Sequence, residues 1–321
     1  MWKIVLGEAF SRGVPLAPFL ALNSFMSLLD SLRSAFQSSG GRIDVEARFA
    51  RQRTAVTGTM ANFFVAKDHE HDDRLVGVKV VELEKYNLFE SRFKGLKKPT
   101  EGQIAMEMQH PFIAETYETG FSTKGEPVIV MEYVAGPSLQ NIVVQKQEHH
   151  LTGKRLKLIR EMAEALQYVH QKGFIHRDIC PRNFICTPNS DGIRLIDFGL
   201  TLPATAPFMT PGNRTGTPLY MSPEIIRRRS TDKRVDIFSF GVTCYCMCCF
   251  EHPWQGEILN GRAALHHDTS APTDLLERCP NIDPRLSKAI MNALDPKVDE
   301  RTPEIGHFLQ SIRGVQQAFL E

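Results

Sequence analysis

Residues 174–183 read FIHRDICPRN, and residues 194–199 read RLIDFG. Each stretch is a short apolar run that ends in polar residues, as expected where a strand or a buried loop delivers side chains to a cleft. Together they supply Asp178, Asn183 and Asp197. Magnesium takes oxygen ligands and is usually held by one or two carboxylates together with substrate phosphates. An amide and a carboxylate for the metal, with a second carboxylate left for a nucleophile, are the side chains that phosphoryl transfer requires.

The order and spacing of these residues resemble the catalytic and metal-binding loops of eukaryotic-type serine/threonine protein kinases. Alone, Asp178 or Asp197 would more often be a loop or cap aspartate. Together, His-Arg-Asp at 176–178, Asn183 and Asp-Phe-Gly at 197–199 form a pattern that few chains of this length carry. The resemblance implies that Asp178 orients the substrate hydroxyl and accepts its proton, while Asn183 and Asp197 hold the Mg2+ that bridges the phosphates of ATP.

A lysine upstream fits the same family. Residues 75–81 have the composition of a buried strand, and Lys79 lies within it. Burying its ammonium is costly unless negative charge faces it. The alternative interpretation is that the Lys79 side chain extends to solvent and binds nothing. The tetrapeptide at 76–79 resembles the family's Val-Ala-Ile-Lys element, which implies that Lys79 meets ATP phosphates and a helix glutamate.

The glutamate partner of this lysine is expected in a helix predicted over residues 99–109. His-Pro-Phe-Ile at 110–113 resembles the family junction that follows the helix. The family spacing from that junction selects Glu101, with Glu107 as the competing candidate. The basic run at 94–98 is interpreted as a solvated loop.

The resemblance also implies a nucleotide site. A family alignment places Val56, Gly58 and Ala61 where three glycines are expected, so one glycine survives and the lid should grip ATP less tightly. Residues 128–134 predict a strand leading to the hinge between two lobes, where Met131 lines the back of the purine pocket. The implied nucleotide contacts are Val56, Gly58, Thr59, Phe63, Lys79, Met131, Glu132, Val134 and Ile185.

The sequence departs from the family pattern beside Asp178. Serine/threonine kinases usually carry a lysine where Cys180 stands, and many tyrosine kinases carry an arginine where Arg182 stands. Our hypothesis is that Arg182 replaces the missing charge, and a solvent-facing arginine is the alternative. Thr217 resembles the family threonine near the acceptor site. The expected catalytic residues are Asp178, Lys79, Glu101, Arg182 and Thr217.

Residues 200–224 are rich in Pro, Thr and Gly and resemble an activation segment that ends in Ser-Pro-Glu. Because Arg177 precedes the catalytic Asp, a phosphate paired to arginine is expected to order this segment. Thr210 and Thr215 are the candidate acceptors, with Thr205 less favoured.

Two further helices are predicted, one with an apolar stripe over residues 152–172 and a strongly apolar one over residues 232–250. The resemblance implies that Asp236, in the second, braces the backbone of the catalytic loop. It also implies that Arg301 pairs with Glu224 in a buried ion pair.

Composition and charge exclude other classes of function. The chain has 321 residues, with 38 Lys and Arg against 37 Asp and Glu, so no global charge favours nucleic acid or an anionic membrane. No apolar run reaches the roughly eighteen residues of a membrane span. Seven cysteines without paired spacing indicate a reducing compartment. An enzyme that uses ATP is expected in the cytoplasm.

The expected architecture is an α+β, two-lobe protein-kinase-like fold, with a β-rich N-lobe at 49–134 and a mainly helical C-lobe at 135–315. Residues 1–48 are interpreted as an extension with an amphipathic helix, and 316–321 as a tail. The expected function is transfer of the γ-phosphoryl group of ATP to Ser or Thr of protein substrates, including the protein's own activation segment. A pseudokinase scaffold, motivated by the depleted glycine loop and Cys180, and a small-molecule kinase are the alternatives.

Overall fold

The computed structural model describes residues 42–52, 56–57, 61–254 and 262–320, with backbone alone for 56–57 and 262–263. The predicted amphipathic helix of the extension lies outside the described residues, as do Gly58 and Thr59. Within the described part of the chain, a lobe built on a β-sheet is followed by a mainly helical lobe. The predicted α+β, two-lobe fold is confirmed.

The N-lobe is built on an antiparallel sheet. Its strands are β1 Phe49–Arg51, β2 Val56–Thr57, β3 Ala61–Asp68, β4 Arg74–Val81, β5 Thr116–Phe121 and β6 Pro127–Glu132. They lie in the order β1-β3-β4-β6-β5, and β2 pairs with β3. Alternate residues of a strand face the same side, so Val76 and Val78 of β4 pack with Val128 and Val130 of β6 in the core of this lobe. Strand β6 ends two residues before the predicted strand end at 134.

Residues that precede the sheet also belong to the packed N-lobe. Helix α1, Val45–Arg48, begins after Asp44, whose carboxylate accepts from the Ala47 amide. The buried Arg48 guanidinium pairs with Asp68 at 2.8 Å, and Ile43 is a core residue of this lobe. Part of the predicted extension therefore packs on the N-lobe.

Helix α3, Glu101–Glu107, is shorter than the predicted helix over 99–109. Thr100 and Gln103 form a capping box at its start, which satisfies backbone N–H groups that have no partner within the helix. The cap residue at the other end, Met108, already has non-helical backbone angles. The cap therefore fixes Glu101 at the first helical position.

The sequence does not predict helix α2, Leu83–Glu90, which is followed by a 3-10 turn at Ser91–Phe93. Phe89 and Phe93 are buried in a cluster that also contains Leu202 and Phe208 of the segment after the Asp-Phe-Gly motif. This aromatic contact ties the N-lobe to that segment.

The basic run before helix α3 is an irregular segment that is exposed over residues 94–97, as the sequence indicated, and Lys98 alone departs from that prediction. The Lys98 side chain is 4% exposed and donates to Glu90 at 2.7 Å. The carboxylate of Glu90 is itself buried, so the two charges compensate each other.

The C-lobe is organised around helix α7, Arg234–Cys249, whose residues are buried from Val235 to Cys248 because the helix is apolar on every side. Cys244, Cys246 and Cys248 are free, buried thiols within it. The other helices are α4 Leu139–Val144, α5 Arg155–Gln171, α6 Pro223–Ile226, α8 Leu275–Arg278, α9 Pro284–Ala293 and α10 Ile305–Ser311. Helices α5 and α7 correspond to the two predicted apolar helices, each slightly shorter than predicted.

Short strand pairs position the functional loops on this helical base. Strand β7, Phe174–Ile175, pairs with β10, Leu202–Pro203. Strand β8, Phe184–Cys186, pairs with β9, Ile193–Leu195. The loop between β7 and β8 and the loop after β9 carry the polar residues of the two stretches quoted first, so both open onto the same region.

The predicted ion pair between Arg301 and Glu224 is confirmed. Two guanidinium nitrogens of Arg301 donate to the two carboxylate oxygens of Glu224, at 2.7 and 3.2 Å. Arg301 also donates to backbone carbonyls, among them those of Asp295 and Arg234. The pair anchors the end of the activation segment on helix α7.

Candidate active site

Lys79 lies between two acidic side chains. Its Nζ donates to Glu101 and, at 2.8 Å, to Oδ1 of Asp197, whereas Glu107 is exposed. Burial alone would lower the pKa of Lys79, but the charges of Asp197 and Glu101 outweigh it and raise that pKa above its ordinary value. The ammonium is therefore charged in the closed cluster.

Asp197 is held in an ionised state and in an unusual backbone conformation. Burial opposes its ionisation, yet Lys79 holds the pKa of Asp197 well below its ordinary range. Its φ is 68°, a left-handed value that non-glycine residues rarely adopt outside functional sites. Its Oδ1 also accepts from the Gly199 amide at 2.9 Å. A Cβ on Gly199 would lie 3.3 Å from Oε2 of Glu101, so glycine leaves the acidic groups room.

The catalytic-loop backbone is fixed by Asp236, as the resemblance implied. The two oxygens of Asp236 accept from the His176 and Arg177 amides, each at 2.7 Å. Arg177 has a φ of 67°, and a residue in that conformation needs support from its surroundings. His170 is a further partner that the sequence analysis missed: its Nε2 lies 2.9 Å from Oδ2 of Asp236.

Asp178 is surrounded by four hydrogen-bond donors. Its Oδ1 accepts from the Thr217 amide at 2.9 Å and from the Thr217 hydroxyl at 2.7 Å. Its Oδ2 accepts from Arg182 at 2.7 Å and from the Asn183 amide at 2.9 Å. Arg182 and Asn183 therefore orient the carboxylate, while Oδ1 faces a hydroxyl group.

Cys180 provides no charge beside this carboxylate. Burial raises the pKa of its thiol to about 12, so the side chain is neutral at physiological pH. Its Sγ lies 3.5 Å from the Thr217 hydroxyl. Arg182, half-exposed with 48% of its side chain accessible, is the cation in contact with Asp178 at this position.

Asn183 and Asp197 have the oxygen donors that Mg2+ requires. Asn183 uses its amide nitrogen to donate to the backbone carbonyl and to Oδ2 of Asp178, so its Oδ1 remains an acceptor. Asp197 engages Oδ1 with Lys79 and Gly199, and no hydrogen bond from a described residue reaches its Oδ2. One amide and one carboxylate oxygen fit a cation that completes its shell with waters and substrate phosphates.

The residues predicted to surround the purine lie in β6, in the segment that follows it and in β8. Met131 is buried at the end of β6, and Ile185 is half-buried in β8. No hydrogen bond between described residues engages the Val134 amide, which follows Glu132 after the strand end. Val56 is another predicted nucleotide contact. Only its backbone is described, and it pairs with Phe63.

The Phe63 side chain packs directly over the backbone of Gly77. A Cβ on Gly77 would lie 2.8 Å from two atoms of the Phe63 ring and 3.3 Å from Cγ of Met131. The ring therefore occupies the space that a methyl group at position 77 would need. The sequence indicates Phe63 as a nucleotide contact, but it does not indicate that the ring packs over Gly77, which pairs with Val65 in the adjacent strand.

The segment after Asp197 reaches back to the catalytic loop. Nη2 of Arg177 donates to the Asn213 carbonyl at 2.9 Å, two residues from Thr215. Thr210 is exposed and Thr215 half-buried. Arg177 thus lies close to one of the two favoured phosphate acceptors.

Comparison with known sequences extends these observations. Residues 52–311 match the profile of the protein kinase domain. The chain is 31% identical over 256 residues, 76% of its length, to serine/threonine-protein kinase PknB of Mycolicibacterium smegmatis, and covers 39% of that protein. It is 29% identical over 218 residues, 66% of its length, to calcium/calmodulin-dependent protein kinase type 1 of Macrobrachium nipponense, and covers 60% of that protein.

A third similarity is to a probable serine/threonine-protein kinase of Streptomyces coelicolor, at 30% identity over 275 residues, 82% of this chain and 38% of that protein. The chain thus spans between about two fifths and three fifths of the length of these relatives. Among the described helices, none has both the length and the apolar composition that crossing a membrane would require.

Proposed function

The chain belongs to the protein kinase family, and we propose that it transfers the γ-phosphoryl group of ATP to serine or threonine hydroxyls of protein substrates, its own activation segment among them. The observation that best supports this is the convergence of Lys79, Glu101 and Asp197 in one ion-pair cluster. A scaffold without transfer activity would not need a charged, buried lysine facing a metal-binding carboxylate.

We propose the following division of roles among the described residues. Asp178 accepts the proton of the substrate hydroxyl at Oδ1, the atom that already accepts from the Thr217 hydroxyl. Arg182 and Asn183 hold the other oxygen, so the base keeps one orientation while the hydroxyl approaches. Lys79, positioned by Glu101, binds ATP phosphates, and Thr217 lines the acceptor site.

Asn183 and Asp197 would hold Mg2+. When bound, the metal neutralises negative charge on the phosphates. The purine would lie between Ile185, Met131 and Phe63, with backbone groups of Glu132 and Val134 at its edge. Val56, Gly58 and Thr59 are proposed as further nucleotide contacts from the sequence alone. Transfer then rests on positioning and charge neutralisation.

We also propose where the domains of this chain begin and end and in which compartment the protein is located. We assign the lobes to residues 49–134 and 135–315, with 1–48 as an extension, of which residues 42–48 pack on the N-lobe, and 316–321 as a tail. A cytoplasmic location is supported by the need for ATP and by seven free cysteines, six of them buried.

The test is incubation of the purified chain with Mg·ATP beside an Asp178→Ala control, scored for phosphate on itself and on a generic basic protein. Transfer to protein by the wild type alone is the expected result. ATP binding without transfer would favour a pseudokinase scaffold. Transfer to small alcohols but not to protein would favour a small-molecule kinase, which the segment around Thr217 and its contact with Asp178 argue against.

A further inference from the structure

Two buried histidines contact the loop that follows Thr217. Nε2 of His252 lies 2.8 Å from the Leu219 carbonyl, and Nδ1 of His267 lies 2.9 Å from the Met221 carbonyl. A carbonyl oxygen can only accept, so each ring nitrogen must carry the hydrogen. We call residues 217–221 the docking loop, because the proposed function places Thr217, its first residue, at the acceptor site for the protein substrate.

The protonation of both rings agrees with this assignment. Burial lowers the pKa of His252 and of His267, so each ring is neutral and has a single N–H. In His252 each ring nitrogen faces a carbonyl, Nε2 that of Leu219 at 2.8 Å and Nδ1 that of Trp254 at 3.2 Å. The shorter contact assigns the hydrogen to Nε2, and Nδ1 then accepts from the Trp254 amide at 3.4 Å. In His267 it is on Nδ1, and its buried Nε2 has no hydrogen-bond partner among the described residues.

Packing holds the two rings in place against helix α7. The His267 ring lies 4.4 Å from Trp254 and 5.4 Å from Phe238 of α7, and 5.7 Å from the His252 ring. Between the two histidine contacts, the Tyr220 carbonyl accepts from Ser239 of α7 at 2.7 Å. Three consecutive carbonyls, at the end of the 3-10 turn Pro218–Tyr220 and just after it, are thus each held by a side chain.

The loop that these contacts hold also reaches the proposed base. Thr217 donates its amide and its hydroxyl to Oδ1 of Asp178, and the Tyr220 amide donates back to the Thr217 carbonyl at 2.9 Å. A shift of the carbonyls at 219 and 221 would therefore move the backbone that carries Thr217.

We propose that His252 and His267 are positioning residues for the protein substrate: their N–H groups fix the backbone of the docking loop, and neither touches ATP. This inference rests on the proposed function. A simple core role predicts that any buried side chain of similar size would serve. A positioning role predicts that the location of the donor on the side chain decides the outcome.

Amide side chains separate these two roles. Glutamine can place its N–H near Nε2 of histidine, and asparagine near Nδ1. His252→Gln and His267→Asn therefore keep the donor, while His252→Asn and His267→Gln carry the same group at the wrong distance. Each pair has matched polarity, and thermal unfolding of all four variants checks that they fold.

Steady-state kinetics with ATP and a generic basic protein give the first readout. We expect the misplaced-donor variants to raise KM for the protein substrate about tenfold, because a buried carbonyl loses its donor, while KM for ATP stays unchanged. His252→Gln and His267→Asn should lie close to the wild type. Equal effects within each pair, or equal changes in both KM values, would overturn the proposal.

Hydrogen exchange at the amides of residues 219–221 gives a readout that needs no activity. Faster exchange is expected in the misplaced-donor variants alone. A wild type that transfers no phosphate would contradict the proposed function. Exchange that does not differ within the pairs would contradict the positioning role, whatever the activity.

Discussion

Arg182 donates through Nη2 to Oδ2 of Asp178 at 2.7 Å, so a guanidinium stands beside the proposed base although the residue two positions after that base is the uncharged Cys180. The contact uses the oxygen opposite to the one that faces Thr217. The cation can therefore orient the carboxylate without blocking its approach to a hydroxyl.

Replacing Arg182 tests whether this cation contributes to turnover. Loss of one preorganised donor at a developing charge typically costs about 100- to 1,000-fold in kcat, but this side chain is 48% exposed, so solvent screening reduces the effect. We expect Arg182→Ala to lower kcat about tenfold with little change in KM for ATP. Arg182→Lys, which keeps the charge, should retain more activity. Unchanged kcat in the alanine variant would identify Arg182 as a solvent-facing residue.

Glu101 and Glu107 form a matched pair of test sites on one helix. Glu101 contacts Lys79 and is 8% exposed, whereas Glu107 is exposed. Removing one partner of a buried ion pair costs about 3–5 kcal/mol, so Glu101→Gln should weaken ATP binding and lower the free energy of unfolding. Glu107→Gln should leave both unchanged. Calorimetric titration with Mg·ATP and urea denaturation measure the two effects, and similar behaviour of both variants would refute the pairing.

Arg301 should be among the side chains whose loss destabilises the C-lobe most. It is 2% exposed and donates to both oxygens of Glu224 and to several carbonyls. We expect Arg301→Ala to reduce the free energy of unfolding by about 3–5 kcal/mol. The surface pair of Lys233 and Glu304 is the control, because solvent screens an exposed ion pair and leaves it little effect on stability. Chemical denaturation of Arg301→Ala and Lys233→Ala should show this contrast.

The Phe63 ring and Gly77 should behave as a coupled pair. Gly77→Ala places a methyl group 2.8 Å from two ring atoms, and overpacking of this kind costs about 1–3 kcal/mol. We expect the single variant to lower the free energy of unfolding and to raise KM for ATP. Adding Phe63→Val should relieve the clash and restore stability. A double variant no better than Gly77→Ala would show that the ring moves aside without cost.

His267 should make stability depend on pH. Burial lowers its pKa to about 3, from an ordinary value of 6.5. Between these values the unfolded chain binds a proton that the folded chain does not, so the free energy of unfolding falls as the pH falls, by up to about 1.4 kcal/mol per pH unit. His267→Asn should lose this contribution while His252, His266 and Asp268 remain. Urea denaturation between about pH 7 and pH 5 measures the two slopes, and equal slopes would contradict the prediction.

The sequence predicted the residues whose chemical type the reaction dictates. Lys79, Asp178, Asn183 and Asp197 are expected at one site because their residue types suit phosphoryl transfer and their motifs resemble those of the kinase family. The structure brings Lys79 into contact with Asp197, and Asn183 into contact with Asp178. The buried helix α7 was predicted because an apolar run of its length has few other stable environments.

Contacts between elements were harder to predict. Helix α2 was missed because its two buried residues, Tyr86 and Phe89, face partners in other elements and leave no clear apolar stripe. Lys98 was assigned to solvent from its basic neighbours, since nothing local indicates that Glu90 lies 2.7 Å away. His170, His252 and His267 have no periodic signal at all, because each contacts a group distant in sequence.

Asp236 and Ser239 lie three residues apart, on adjacent turns of helix α7, and hold different parts of the cleft: one fixes the amides at 176 and 177, the other the carbonyl at 220. An α-helix rises 1.5 Å per residue. The spacing of Asp236 and Ser239 therefore sets the separation, along the helix axis, of the loop that carries the proposed base and the docking loop. Displacement of either loop would break a hydrogen bond to this buried helix. One buried helix therefore sets the relative position of the two loops.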